Sequence, residues 1–268
     1  MLGPGAMAGT LLEAYLSRIG VAAPLEPRLD LLRRIHTAHV GAIPFENIDI
    51  QMGQPIRLDL DSLRGKLIER RRGGYCFEHN SLLLAILRAL GFDATPFEAR
   101  VRMDEVVVRP RTHMLLRVRT DGRDWVCDVG FGAGGPLEPV PLSGEISRQP
   151  GGEYRVSADG ALRVLQSRTT GGWRDQYAFA EAEVFPVDLE VANWYTSTWP
   201  ESPFVRTLTA QRSTPEARYV LRYPTFSIAR GGELQTRTIG RRELIGLLRD
   251  VFLIDLPAEA MFRSIDGA

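Results

Sequence analysis

Along the first hundred residues, apolar side chains recur at helical spacing. Leu11, Leu12, Tyr15 and Leu16 precede Gly20, and Leu29, Leu32, Ile35 and His39 precede Gly41 and Pro44, which predicts two short packed helices. A third is expected from near Asp61, through Leu63, Leu67 and Ile68, to Gly73 and Gly74, a pair that sustains helix poorly. The next begins at Cys76. Phe77, Leu83, Leu84, Leu87 and Leu90 keep helical spacing until Gly91, so Cys76 stands at or near a helix N-terminus.

From Arg100 the pattern becomes alternation. Val101 and Met103, then Met114, Leu116 and Val118, and later Tyr154, Val156, Leu162 and Val164 are separated by polar residues, so the middle third reads as antiparallel β. Pro186 with Asp188 starts a short helix through Trp194, a strand pair turns at Gly231 and Gly232, and a last helix covers Arg241 to Phe252. No internal repeat, charge block or long linker separates these parts, so they are expected to pack as one body.

Composition narrows the function classes. The 33 basic residues balance 33 acidic ones, which removes the general attraction that nucleic acid or an anionic membrane would need and points to a small-molecule partner. Hydrophobic content of 44% and charged content of 25% are those of ordinary globular proteins. The strongest apolar run, Leu82 to Leu90, is interrupted by Arg88 and falls short of the ~18 to 20 residues a membrane helix needs. The start, MLGPGAMAGT, lacks the basic and apolar regions of a secretory signal, and the stretch ahead of Met7 reads as a remnant of an expression tag. Two cysteines with 50 residues between them suggest a reducing, cytoplasmic setting rather than a disulfide framework.

The two cysteines separate on context. A thiol is weakly nucleophilic until deprotonated, and a helix N-terminus plus a neighbouring imidazolium both favour the thiolate. Gly73 and Gly74 permit a tight turn before Cys76, and the Phe77 amide is placed to stabilise an oxyanion. In THMLLRVRTDGRDWVCDVGFG, Asp121 and Gly122 fit a two-residue hairpin turn. Thr120 then faces Arg123, His113 falls opposite Gly130 and Asp128 opposite Leu115, making His113 and Asp128 diagonal neighbours on one face. The same parity sends Cys127 to the other face with Trp125 and Val129, into the core. A nucleophile, a base and its orienting carboxylate in the order Cys, His, Asp form a candidate acyl-transfer triad.

At these residues the chain resembles the arylamine N-acetyltransferases. The resemblance lies in RRGGYCFEHN around Cys76, THMLL around His113 and DVGFG from Asp128. It extends to AIPFENIDI (42–50), GGPLEPVPL (134–142) and NWYTSTWPESPF (193–204), in the family's order. It implies an α+β fold with a cysteine-protease-like core: a helical bundle over 1–98 carrying Cys76, an antiparallel β-barrel over 99–203 carrying His113 and Asp128, and an α/β lid over 204–268. It also implies acetyl-CoA as acyl donor and arylamines, arylhydrazines or N-hydroxyarylamines as acceptors, with Phe131 and Phe204 as walls of the acceptor pocket. The family's motif usually carries Gln where this chain has His79, so two imidazoles compete for the role of base. His113 is favoured because Asp128 can fix its tautomer, whereas His79 is expected to point away from the thiol.

Three further readings are bounded by the same residues. A zinc site from Cys76, His79 and Cys127 fails on spacing and parity, so no metal is expected. His36 and His39 on an early helix are assigned packing or surface roles. Arg71, Arg72 and Glu78 read as a salt-bridged structural cluster, with Glu46 of PFEN pairing to one of the arginines. The enzymatic alternative is a transglutaminase-like or papain-like thiol hydrolase; the non-enzymatic one is a CoA-binding or interaction protein with an inert thiol.

Overall fold

A computed structural model describes residues 4–103 and 107–267; Met1 to Gly3, the beginning of the stretch ahead of Met7, lie outside the described residues. The helical first third holds α1 (Pro4–Ile19), α2 (Leu29–Ala42), α3 (Ile48–Gln51), α4 (Leu60–Leu63) and α5 (Cys76–Ala89), with a two-residue strand β1 (Phe45–Glu46) between α2 and α3. α4 runs on as a wider π-helical turn over Arg64–Glu69 and stops before the two glycines. Tyr15, Leu31, Leu32, Ile35, Leu63, Leu67, Phe77, Leu83 and Leu87 interlock into one buried cluster, which is what the helical spacing called for.

The middle of the chain supplies β2 (Asp93–Val101), β3 (His113–Thr120), β4 (Arg123–Cys127), β5 (Val140–Pro141), β6 (Ser147–Gln149), β7 (Gly152–Asp159), β8 (Leu162–Thr169) and β9 (Gly172–Phe179). They form one antiparallel sheet in the order β5-β4-β3-β2-β9-β8-β7-β6, curled so that β5 returns against β7. Its inner face buries Phe97, Ala99, Leu115, Val126, Tyr177 and Phe179. Its outer face carries Met114, Leu116, Val118, Trp125 and Cys127 into the helical cluster. The first strand begins at Asp93 rather than near Arg100, and Met103 lies beyond it in a turn at φ 48°. Pro96 hid that strand. It sits where β2 has β3 on one side and β9 pairs only from Ala99 onward, so its missing N–H costs no ladder bond there.

After the barrel come α6 (Pro186–Thr198), which runs one turn past Trp194, and α7 (Pro203–Arg206). β10 (Thr209–Ser213), β11 (Ala217–Arg222), β12 (Thr225–Arg230) and β13 (Glu233–Thr238) then form a second sheet, followed by α8 (Arg241–Phe252) and α9 (Arg263–Asp266). Arg230 pairs with Glu233 around Gly231 and Gly232, as the turn signal predicted. This sheet is completed from the N-terminal third: β1 pairs with β10 through Phe45 with Gln211 and Glu46 with Ala210. Among the described residues no helix is long and apolar enough to cross a membrane.

Candidate active site

The turn before Cys76 is built by close backbone approach. A Cβ on Gly73 would lie 1.9 Å from the Pro44 carbonyl oxygen, and one on Gly74 would lie 2.6 Å from a Glu78 carboxylate oxygen; only glycine fits at either position. β1 lies alongside: Glu46 N donates to the Gly74 carbonyl at 2.7 Å, and Gly74 N donates to the Pro44 carbonyl at 3.3 Å. The Tyr75 amide donates to the Glu78 carboxylate at 3.1 Å, satisfying one of the amides a helix start leaves open. Cys76 is the first residue of α5 and is 3% exposed. Its thiol points to the Thr112 carbonyl at 3.7 Å, one residue before His113.

The hairpin forms as its turn signal predicted. Asp121 and Gly122 both have positive φ, 50° and 73°, the type I′ geometry that suits strand twist, and Thr120 faces Arg123. The ladder then stops at Leu116 with Cys127. Asp128 and Gly130 lie past the end of β4, so the expected pairings of His113 with Gly130 and of Leu115 with Asp128 are not made as ladder partners; His113 is registered against Ala99 of β2 instead. Parity nevertheless survives. His113 Nε2 donates to Asp128 Oδ2 at 2.7 Å, which leaves Nδ1 for the thiol, and Cys127 is fully buried on the opposite face with Trp125 and Val129.

Asn80, which sequence reasoning did not single out, and the Gly130 amide fix Asp128. Asn80, one turn along α5 from Cys76, donates to Asp128 Oδ1 at 3.0 Å and to the Met114 carbonyl at 2.7 Å, and accepts from Val129 N at 3.2 Å. Gly130 N donates to the same Oδ1 at 2.9 Å. Gly130 also packs on Cys76, since a Cβ there would lie 2.7 Å from Cys76 Cα. His36 accepts from Asp128 N at 3.2 Å through Nε2, so Nδ1 carries the proton and donates to the Leu137 carbonyl at 2.9 Å. α2 reaches this point because it lies along the hairpin: Asp121 at the hairpin tip accepts from Leu29 N at 2.9 Å, supplying the N-terminal cap that Arg28 cannot.

Charge favours the imidazolium form of His113. Burial opposes the imidazolium, but the charge and hydrogen bond of Asp128, joined by Cys76, outweigh it and push the group up to about 10. Burial would likewise raise Asp128, yet His113, Asn80 and Gly130 N hold it below the usual carboxylate range. The other three histidines are kept neutral. Burial pushes His36 and His79 down to about 4 and His39 well below its ordinary value.

Behind the turn that leads into Cys76 lies an ion cluster. Lys66, the sole lysine of the chain, bridges Glu78 at 2.7 Å and Asp49 at 2.8 Å, and Arg72 bridges Glu46 at 2.8 Å and Asp49 at 3.0 Å. Three carboxylates thus share two cations, and burial pushes Glu78 up to about 7 against the pull of Lys66. The expected pairing of Glu46 with a neighbouring arginine is with Arg72; Arg71 instead takes a left-handed conformation at φ 53°.

Aromatic rings border the His113 imidazole and the turn before Cys76. Phe131 meets His113 edge-on at 5.1 Å, and Tyr177 lies 4.7 Å from the same imidazole. Phe204 packs at 5.5 Å on Tyr75 and 5.9 Å on Phe45. Phe131 therefore borders His113, while Phe204 borders Tyr75, the residue preceding Cys76. The loop after Phe131 is held by the second sheet: Gln211 accepts from Ala133 N at 2.8 Å, and Arg218 donates to the carbonyls of Ala133 and Gly135. Phe77 turns its ring into the core against Tyr75 at 5.5 Å, leaving its amide in the first turn of α5, where no helical acceptor exists. Among the described residues no group of three His, Cys, Asp or Glu is placed to hold a metal ion.

A buried thiol at a helix N-terminus, with the bonded His113–Asp128 pair at the open end of an antiparallel hairpin, brings together the three residue types of a Cys–His–Asp triad. Comparison with known proteins specifies it. A family model described as N-acetyltransferase matches residues 28–261. An arylamine N-acetyltransferase of Mycolicibacterium smegmatis is 37% identical, over 91% of this chain and 92% of its own. Among solved structures, the Nocardia farcinica arylamine N-acetyltransferase is 40% identical with a TM-score of 0.86, covering 92% of this chain and 90% of its own. The Mycobacterium marinum arylamine N-acetyltransferase in complex with CoA is 34% identical with a TM-score of 0.91, over 96% and 98%. This chain belongs to the arylamine N-acetyltransferase family.

Proposed function

We propose that the protein moves an acetyl group from acetyl-CoA to the nitrogen of arylamines, arylhydrazines or N-hydroxyarylamines by way of a Cys76 thioester. The observation that carries this is the 2.7 Å His113–Asp128 bond beside a cysteine whose Cα touches Gly130 of the same loop. In the first half-reaction the Cys76 thiolate attacks the thioester carbonyl carbon, the carbon–sulfur bond to CoA breaks, and His113 gives its proton to the departing CoA thiolate. In the second, the amine attacks the acetyl-cysteine carbonyl, neutral His113 takes a proton from nitrogen, and the Cys76 thiolate leaves beside an imidazolium once more. Asp128 stays ionised throughout, holding Nδ1 of His113 toward sulfur and stabilising the imidazolium. The first-turn amide of Phe77 serves the oxyanion, and Phe131 and Phe204 wall the acceptor pocket. The segments 1–98, 99–203 and 204–268 act respectively as carrier of the nucleophile, carrier of the base and its carboxylate, and a brace closing over both. The setting is cytoplasmic.

Intact mass spectrometry after mixing with acetyl-CoA tests the reading. One acetyl adduct is expected, absent from Cys76→Ala and discharged by an added arylamine. Equal labelling of Cys76→Ala, or no labelling of the parent, would sink it. Release of peptide fragments from a protein substrate would favour a thiol hydrolase instead.

A further inference from the structure

The backbone turn that presents Cys76 is made of two glycines, the residues with most freedom to lose, and neither can carry a side chain to hold itself. Its restraint comes from elsewhere. His79 Nε2 lies 3.0 Å from the Gly74 carbonyl and 3.1 Å from the Pro44 carbonyl. Carbonyl oxygens only accept, so Nε2 carries the proton and donates to both. In a neutral ring Nδ1 is then bare, and it accepts from His39 Nε2 at 2.8 Å. That leaves His39 Nδ1 bare, to accept from the Tyr15 hydroxyl at 2.8 Å. Tyr15, His39 and His79 have no exposed surface, and Phe45 of β1 stacks on His79 at an interplanar angle of 13°.

We propose that Tyr15, His39 and His79 are positioning residues for Cys76: a one-way chain of three buried hydrogen-bond donors, from α1 through α2 to α5, that fixes the Gly73–Gly74 turn. The chain ends on the Gly74 carbonyl, two residues before the nucleophile, which also accepts from Glu46 N. The turn is therefore gripped by β1 and by His79 at one oxygen. His79 takes no part as a base, because its two nitrogens are committed to His39 and to the carbonyls. Charged and titratable groups face the relay from several elements: Glu46 and Lys66 near His79, and Arg18 and the neutral His36 near His39. Burial dominates them all and keeps both rings neutral, which the single donor direction requires.

The inference rests on Cys76 being the acyl carrier, so its test uses two readouts: single-turnover acetylation by acetyl-CoA and alkylation of Cys76 by iodoacetamide. His79→Gln keeps both bonds, its amide oxygen accepting from His39 and its amide nitrogen donating to the carbonyls; both rates should stay within about threefold of parent, with an unchanged pH profile. His79→Leu removes donor and acceptor, and acetylation should fall by about ten- to a hundredfold while KM for acetyl-CoA moves less than about twofold, as for a misplaced nucleophile. Tyr15→Phe deletes one hydroxyl at the far end; a slowing of about two- to threefold, smaller than that of His79→Leu, is expected, and this variant decides the matter should His79→Leu fail to fold. Parental rates in both His79→Leu and Tyr15→Phe overturn the proposal. A His79→Gln variant as slow as His79→Leu, or with a displaced pH profile, overturns it in favour of His79 as a base. Failure of the parent to acetylate while alkylation still ranks the variants as stated would fault the acyl-carrier reading alone.

Discussion

Asn80 offers the sharpest single perturbation of the site. Asn80→Ala removes three hydrogen bonds at once, to the Asp128 carboxylate at 3.0 Å, to the Met114 carbonyl at 2.7 Å and from Val129 N at 3.2 Å. Asn80, Met114 and Asp128 are all buried, so water cannot substitute freely. A bond to a charged group contributes about 1.5–3 kcal/mol and each neutral one about 0.5–1.5, which places the loss near 3–5 kcal/mol. In a chain of this size that corresponds to a melting temperature lower by on the order of 10 °C. Chemistry should suffer separately. Asp128 keeps His113 and Gly130 N as donors but loses one that favours its ionised form, so its hold on the imidazolium weakens. Acetylation of Cys76, measured well below the melting point, should slow by about tenfold or more. Asn80→Asp should be worse than Asn80→Ala, because a second carboxylate would stand against the first. A melting temperature within 2 °C of parent, or roughly parental acetylation in Asn80→Asp, would refute the reasoning.

Gly130→Ala would set a methyl 2.7 Å from Cys76 Cα and 2.9 Å from Asn80 Nδ2; overpacking of about 1–3 kcal/mol is expected, with a slowed acetylation that Gly160→Ala, where a Cβ meets only open space, does not share. Lys66→Met leaves Glu78 and Asp49 without their shared cation, and calorimetry should show destabilisation of about 3–5 kcal/mol. Burial of neutral His36 and His79, both near 4 against an ordinary 6.5, and of His39, lets the unfolded chain bind protons first. Their stability is present above pH 6.5 and lost as pH falls toward 4. His113, raised to about 10, and Glu78, raised to about 7, carry the opposite sign and lose theirs as pH rises. Urea midpoints should therefore fall from neutral pH to about pH 5, three groups outweighing two there, and a midpoint rising over that range would contradict the assignment.

Periodicity made most of the fold legible. The helix spacing placed Cys76 at the first residue of α5, and Asp121–Gly122 placed the hairpin register through Cys127, which is enough to separate the two cysteines. What the pattern could not show is where a ladder ends. Asp128 leaves the sheet one residue after Cys127 to take its bonds from Asn80, Gly130 and His113, and no local rule of alternation reports that. The same limit hid His36. On α2 it reads as one more residue beside apolar neighbours, and its partner Asp128 is 92 positions away. The available signal was chemical: four histidines in the chain, two of them three residues apart on one helix face. Asn80 carried a similar signal, lying one turn beyond the nucleophile in a helix where a buried amide must find partners.

The C-terminal segment is called a lid by its position, but its bonds argue against a hinge. β1 lies between the turn that carries the nucleophile and the second sheet, bonding Gly74 through Glu46 N and pairing with β10 through Phe45 and Glu46. From the same sheet, Gln211 and Arg218 hold Ala133 and Gly135, on the loop that also contains Asp128 and Phe131. Swinging the sheet away would break both sets of bonds together and disturb the Cys76 turn and the Asp128 loop at once. Each bond is modest, at about 1 kcal/mol net, but their buried carbonyls and amides would be left unpaired at a further cost of about 1–3 kcal/mol apiece. The sheet therefore stays in place, and its bonds keep the turn before Cys76 and the loop that carries Asp128 in register.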